Sequence, residues 1–306
     1  MADIVALGEP LIEFNQVPGS DTWRQGFGGD TSNFVCAAAR VGARAGYLTR
    51  VGDDEFGRLL LRLWRDEGVD AGSVVVDPAA PTGLYFVTHG EQGHVFSYRR
   101  AGSAACGLTY DATVRNAVRA ARHLHVSGIS QAISPSACDA VLEALSDARG
   151  LGLRTSFDVN FRPRLWPAAR ARAIAQATLA STELFLPSLD EARLLFGLPD
   201  ARRLIDWSHR CGARLVAVKC GADGAVVSDG RTITEIPALP VTPVDATGAG
   251  DCFGGVLAAR LLAGDDLVNA ARAACIAAAL STLGYGAVAP LPRWADIAAR
   301  MPGAAG

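Results

Sequence analysis

Residues 244–251 read Val-Asp-Ala-Thr-Gly-Ala-Gly-Asp and lead into an apolar, helix-like segment at 253–262. Three small residues, Gly248, Ala249 and Gly250, stand where that helix would begin. The first amides of a helix lack intrahelical acceptors, so their N–H groups can gather into a cradle for an anion. Asp251 sits in the same turn. A carboxylate beside a site built for negative charge makes chemical sense when it takes the proton of a nucleophile attacking a bound phosphate. The pattern therefore points to phosphoryl transfer, with Asp251 as base and Gly248, Ala249 and Gly250 stabilising the transferred group. A Gly-rich turn whose acidic residue merely complements the helix dipole has the same composition, and GAGD alone does not separate the two. Two better-known nucleotide motifs are excluded. No GxxxxGK[ST] string occurs, and Phe253 stands where a dinucleotide fingerprint needs its third glycine.

The elements that must position this turn show in the hydrophobic pattern. Short apolar runs at 4–7, 45–49, 123–126, 154–157, 184–186 and 215–218 have the character of buried parallel strands. Between them lie helix-like segments at 31–41, 56–67, 135–147, 168–179, 189–195 and 201–210. Such alternation predicts an α/β, doubly wound, mostly parallel sheet flanked by helices, with the site at the carboxyl ends of the strands. Residues 11–25 and 83–99 alternate instead like antiparallel strands, with a turn at Glu91-Gln92-Gly93. They are expected to form a small β-sheet lid, about 11–27 and 83–100, inserted into a single domain spanning 1–306 and joined near Gly28-Gly29 and Ala101-Gly102. Two immobile edge hairpins are the alternative. The tail after Trp294 is expected to be one short helix that frays at Pro302-Gly303.

Composition narrows the partners. The chain has 306 residues, 50% of them hydrophobic and 20% charged, and a formal net charge of −2 without a basic block. That balance argues against nucleic acid or an anionic membrane surface as partner. Seven scattered cysteines, odd in number and without a CxxC pair, argue against a disulfide framework and a zinc site, and make a reducing cytoplasm the expected location. The start MADIVALGEP has neither a basic region nor a long apolar core, and no stretch approaches a membrane-spanning length.

A second glycine motif, Gly28-Gly29-Asp30-Thr31-Ser32-Asn33, completes the picture. Together with VDATGAGD it resembles the paired signatures of ribokinase-like (PfkB-type) sugar kinases, over essentially the full length. Within that family the chain is similar to the 2-keto-3-deoxygluconate (KDG) kinases, through GEPLIEFN, FGGDTSN, the stretch 83–86, the stretch 98–105 and the stretch 157–166. It departs at Ala246, where the family more often has Thr or Pro, and at Arg99, where an aromatic residue is common. The resemblance implies ATP as phosphoryl donor and a small sugar acid as acceptor. Gly28, Gly29, Asp30 and Asn33 would line the sugar. Tyr85 and Tyr98 would pack on its face, and Arg100 and Arg162 would meet its carboxylate. Guanidinium groups are natural bidentate partners for such a group, although a lone arginine is more often a solvated surface charge. On the nucleotide side the resemblance implies Lys219, Gly221 and Gly224 against phosphates and ribose, with Asn160 and Ser188 nearby, and Glu191 reaching Mg2+ through water. Adenine would lie between the 220s loop and a helix at 269–281. Whether a monovalent cation binds near Asp245 and Thr247 stays open. Lid edges in such kinases often pair between subunits, which carries over a homo-oligomer through the lid. The rivals are a fructokinase or ribokinase acting on a neutral sugar and, from another class, a non-catalytic ligand sensor.

Overall fold

A computed structural model describes residues 1–17, 19–90 and 93–302. The turn expected at Glu91-Gln92 and the fraying at Gly303 lie outside the described residues. Strand Ile4–Leu7 shows how the core is built. Ile4 and Ala6 join one hydrophobic cluster, Val5 and Leu7 the other. Successive strand side chains point to opposite faces, so a strand apolar at every position has to lie between two layers. Helices Asp30–Arg40, Glu55–Asp66, Ala249–Ala263 and Leu267–Ser281 cover the first face. Helices Ala112–Ala120, Pro135–Gly150, Ala168–Leu179, Leu189–Phe196 and Ala201–Arg210 cover the second. Many start where a side chain caps an orphan amide. Asp54, Asp111, Ser134, Asp200 and Asp266 each accept from the backbone N–H three residues on.

The large sheet runs in the order Ile233–Ile236, Ala225–Ser228, Leu215–Lys219, Leu184–Phe185, Arg154–Asp158, His123–Ser127, Ile4–Leu7, Ala45–Leu48. Its last six strands in that order are parallel, and the first two form an antiparallel edge hairpin. The fold is thus the expected mostly parallel α/β sheet flanked by helices, with an edge that helix–strand alternation does not reveal. A local signal was there: Asp229-Gly230 is hairpin chemistry, with Gly230 at φ +85° and the Asp229 carboxylate accepting from the amides of Arg231 and Thr232.

A second sheet holds Trp23–Gly28, Leu11–Gln16, Leu84–Gly90 and Gly93–Arg99 in that order. Period-two alternation divides its faces. Leu11, Tyr85 and Val87, with Phe96 and Tyr98, form one apolar group, while Phe14 stacks on Phe86 at 5.5 Å on the other side.

The two helices that matter for the site, Asp30–Arg40 and Ala249–Ala263, touch through a glycine. A Cβ on Gly255 would overlap the carbonyl oxygen of Phe34. Alanine favours a helix interior over glycine by about 1 kcal/mol. Gly255→Ala is nevertheless expected to lower the urea midpoint, because overpacking a close backbone contact costs about 1–3 kcal/mol. A midpoint at or above that of the unmodified chain would show that the helices can separate freely.

Candidate active site

Gly248 caps the Ala249–Ala263 helix in the left-handed region, at φ +77° and ψ 0°. A Cβ there would also approach the Ala287 Cβ to 2.8 Å, so two constraints select glycine. The Ala249 amide turns back to the Ala246 carbonyl at 3.2 Å, and the Cys252 amide bonds Gly248 O at 2.9 Å. The amides of Gly250 and Asp251 belong to the first turn, where helical geometry supplies no acceptor. Asp245 fixes the approach to this turn. Its carboxylate accepts from the Thr247 amide (2.9 Å), the Thr247 hydroxyl (2.7 Å) and the Gly286 amide (2.9 Å).

A second helix start faces the first. Gly29, at φ +99° and lying against the Glu9 carbonyl, opens the Asp30–Arg40 helix. Asn33 Nδ2 donates to Asp251 Oδ2 at 2.8 Å. Asp30 accepts from the Thr31 amide (2.8 Å) and from Asn160 Nδ2 (2.9 Å). Asn160 holds a positive φ of 39°, and its amide bonds Asp158 Oδ1 at 3.1 Å. Asp158 ends strand Arg154–Asp158 and Lys219 ends Leu215–Lys219, and the two form an ion pair. The groups therefore collect at the carboxyl ends of the strands, as parallel sheets favour.

Three carboxylates around one ammonium cannot all ionise freely. Burial, then the charges of Asp30 and Asp158, push Asp251 up to about 8, while the Asn33 hydrogen bond and Lys219 pull it down. Asp158 is raised to about 6, chiefly by burial and against the pull of Lys219, and burial also raises Asp30. For Lys219 burial works downward, but Asp158 and Glu191 outweigh it and the ammonium is held above its usual value.

Two cavities meet here. The first, about 450 Å³, is lined by Gly28, Gly29, Asp30, Asn33, Tyr85 and Tyr98, and also by Arg100, Arg162, Lys219, Gly250 and Asp251. The second, about 420 Å³, is mostly apolar, with Phe253, Cys275, Ala278 and Leu239 among its walls and Gly221 and Gly224 at its rim. Lys219, Ala246 and Gly250 line both. Asp251 and the first helical turn thus stand at the junction.

In the first cavity the polar groups differ in how far they are already engaged. Tyr85 donates its hydroxyl to the buried Glu13 carboxylate, and a Cβ on Gly28 would come within 2.6 Å of that hydroxyl. Arg100 forms an ion pair with Glu9, whose side chain is 0% exposed. Burial lowers Arg100 to about 10, so it stays charged at neutral pH. Arg162 is different. It is exposed, its Nη1 bonds only the neighbouring Phe161 carbonyl at 3.0 Å, and among the described residues no carboxylate lies within ion-pair distance of it.

Other residues singled out from the sequence lie elsewhere. Asn160, expected on the nucleotide side, lines the first cavity. Ser188 and Glu191 line neither; they form a capping box on the Leu189–Phe196 helix. Glu191 also accepts the Phe161 amide at 2.6 Å, tying the loop that carries Arg162 to that helix. The Ser-x-x-Glu spacing was itself a capping-box signal. Sequence reasoning missed Glu9 and the 238–243 wall of the second cavity. A carboxylate in GEPLIEF and a Pro-rich connection carry no local mark of a ligand. Among the described residues no helix is long and apolar enough to cross a membrane, and no group of three His, Cys, Asp or Glu side chains is arranged to hold a metal.

Comparison with known proteins matches residues 1–294 to the pfkB family of carbohydrate kinases. The chain is 37% identical to the 2-dehydro-3-deoxygluconokinase of Thermoproteus tenax, over 97% of this chain and 94% of that protein. It is 31% identical to Fructokinase-1 of Zea mays, over 96% of each. Its fold superposes on a putative Ribokinase II from E. coli, solved with ATP and Mg2+, with a TM-score of 0.88 at 28% identity, covering 97% of this chain and 98% of that one.

Proposed function

This chain belongs to the pfkB family of carbohydrate kinases, and from that footing we propose that it uses ATP to phosphorylate the primary hydroxyl of 2-keto-3-deoxygluconate, giving the 6-phosphate. That the enzyme is an ATP-dependent sugar kinase follows from the family and from its kinase relatives. The choice of a sugar acid rests on one observation above the rest. Arg162 brings into the acceptor cavity a guanidinium that has no ion-pair partner among the described residues, where a neutral sugar has no charge to offer it. The higher identity to a 2-dehydro-3-deoxygluconokinase than to a fructokinase supports the same choice.

The apolar second cavity suits an adenine ring, and the junction suits the terminal phosphoryl group. Asp251 takes the proton as the O–H bond of the acceptor breaks. The new O–P bond forms while the bond to the leaving phosphate oxygen breaks, and ADP departs. Amides of the first helical turn and the Lys219 ammonium stabilise charge on the transferred group. A divalent ion, which we take to be magnesium, would be carried mainly by phosphate oxygens and water, with Glu191 reached only through water because its carboxylate already caps a helix. The four-stranded sheet, which supplies Tyr85 and Tyr98, acts as a lid that excludes water. Trp23 and Val95, on the outer strands of that sheet, are 41% and 49% exposed, which supports association of two copies there.

A coupled ATP-consumption assay across KDG, its galactonate epimer, gluconate, fructose and ribose tests the reading. KDG is expected to give the highest kcat/KM. A first place for fructose or ribose would move the protein to the neutral-sugar kinases, and no ATP consumption with any acceptor would favour the sensor.

A further inference from the structure

We propose that Asn33 is the positioning residue of the catalytic base, an inference that rests on the role given to Asp251 above. Asn33 is 4% exposed and lies one turn into the Asp30–Arg40 helix. Its Nδ2 donates to Asp251 Oδ2 at 2.8 Å, while its own Oδ1 is buried without a hydrogen-bond partner among the described residues. Burying an amide oxygen unpaired is unfavourable. When Asp251 is ionised, as a base must be, turning the amide over would set that oxygen against a carboxylate oxygen, which is worse. Asp251, not the remaining surroundings, therefore fixes how Asn33 points.

The reverse holds as well. With Oδ2 held by Asn33, the other carboxylate oxygen of Asp251 is the one available to an acceptor hydroxyl. The contact is built into the packing of the two helices, since Phe34, the next residue, is the one whose carbonyl backs onto Gly255. A hydrogen bond donated to a carboxylate favours its ionised form. At Asp251 this works together with Lys219 from the end of Leu215–Lys219. It works against Asp30 from the start of the facing helix, Asp158 from the end of Arg154–Asp158, and burial. Asn33 thus both aims the base and keeps it ionised closer to neutral pH.

Because Asn33 also lines the acceptor cavity, the test must separate aiming the base from touching the sugar. Asn33→Ala removes the donor, and Asn33→Leu removes it while keeping the volume. Each is assayed alone and combined with Asp251→Asn, at several pH values, with KDG and fructose as acceptors. The expected result for the single variants is a kcat lower by about tenfold or more, an unchanged KM for ATP, and the acid limb of kcat/KM displaced upward by about half to one pH unit. In the Asp251→Asn background, loss of Asn33 should change kcat by less than about twofold, because groups acting as one unit are not additive. A rise in sugar KM alone, with the acid limb in place, would overturn the proposal. So would losses that multiply in the double variant, or loss of the fold in both single variants, which would make Asn33 structural. Failure of the parent reading looks different: Asp251→Asn alone would then keep its turnover, or fructose would outrank KDG in the unmodified enzyme.

Discussion

Asp251→Asn lowers kcat by about 10²-fold or more while the protein stays folded and keeps binding nucleotide, the usual range for loss of a general base. An amide has nearly the shape of the carboxylate and can still pair with Asn33, but it cannot accept the acceptor proton. The pH profile supplies the second signature. In the ligand-free enzyme Asp251 is raised to about 8, by burial first and then by Asp30 and Asp158. A base must be ionised to act, so kcat/KM rises with pH through that region and levels off above it. In Asp251→Asn this limb disappears. Steady-state assays between about pH 6 and 9.5 check both, and near-normal turnover would remove Asp251 from the role of base.

The same shift has a sign for stability. A carboxyl whose folded pKa lies above its unfolded value of about 4 favours the folded state fully below that value, and the benefit is lost as pH rises through the folded pKa. At neutral pH Asp251 is therefore a burden on the ligand-free protein, because folding makes it hold a proton that the unfolded chain releases. Asp251→Asn is expected to raise the thermal midpoint at pH 7 and to lose that advantage near pH 4. Active sites commonly carry such strain for the sake of function.

Arg162→Gln lowers kcat/KM for KDG by about 10- to 10²-fold and leaves fructose within about twofold. The magnitude is that of a charge-assisted hydrogen bond to a carboxylate, about 1.5–3 kcal/mol. Arg162 is the cleaner site for this experiment because, among the described residues, no carboxylate is ion-paired with it, although its charge favours ionisation of Asp30 in the same cavity. Arg100 is not. Removing it would leave the Glu9 carboxylate buried and unpaired, and breaking a buried ion pair destabilises strongly whatever the substrate. Arg162→Lys should recover only part of the loss, since an ammonium cannot make the paired, planar contact. Kinetics with both sugars check the prediction. An equal loss for KDG and fructose would show that Arg162 shapes the loop and does not read charge.

What the sequence determined by itself was local. Apolar runs such as Ile4–Leu7 announced buried parallel strands, and the small residues Gly248, Ala249 and Gly250 announced a helix start. The hairpin at Asp229-Gly230 and the capping box of Ser188 and Glu191 were equally local and could be read from their spacing. Each of these depends on backbone preferences within a few residues. The tertiary structure decided which charges are neighbours. Asn33 and Asp251 are 218 positions apart in sequence, Asp158 and Lys219 are 61 apart, and Glu9 and Arg100 are 91 apart. Whether an arginine is free to meet a substrate, or a carboxylate holds its proton to about 8, depends on distance and burial through space. Those are set by how closely two helices approach over Gly255 and by which strand ends stand side by side, and no pattern along the chain encodes either.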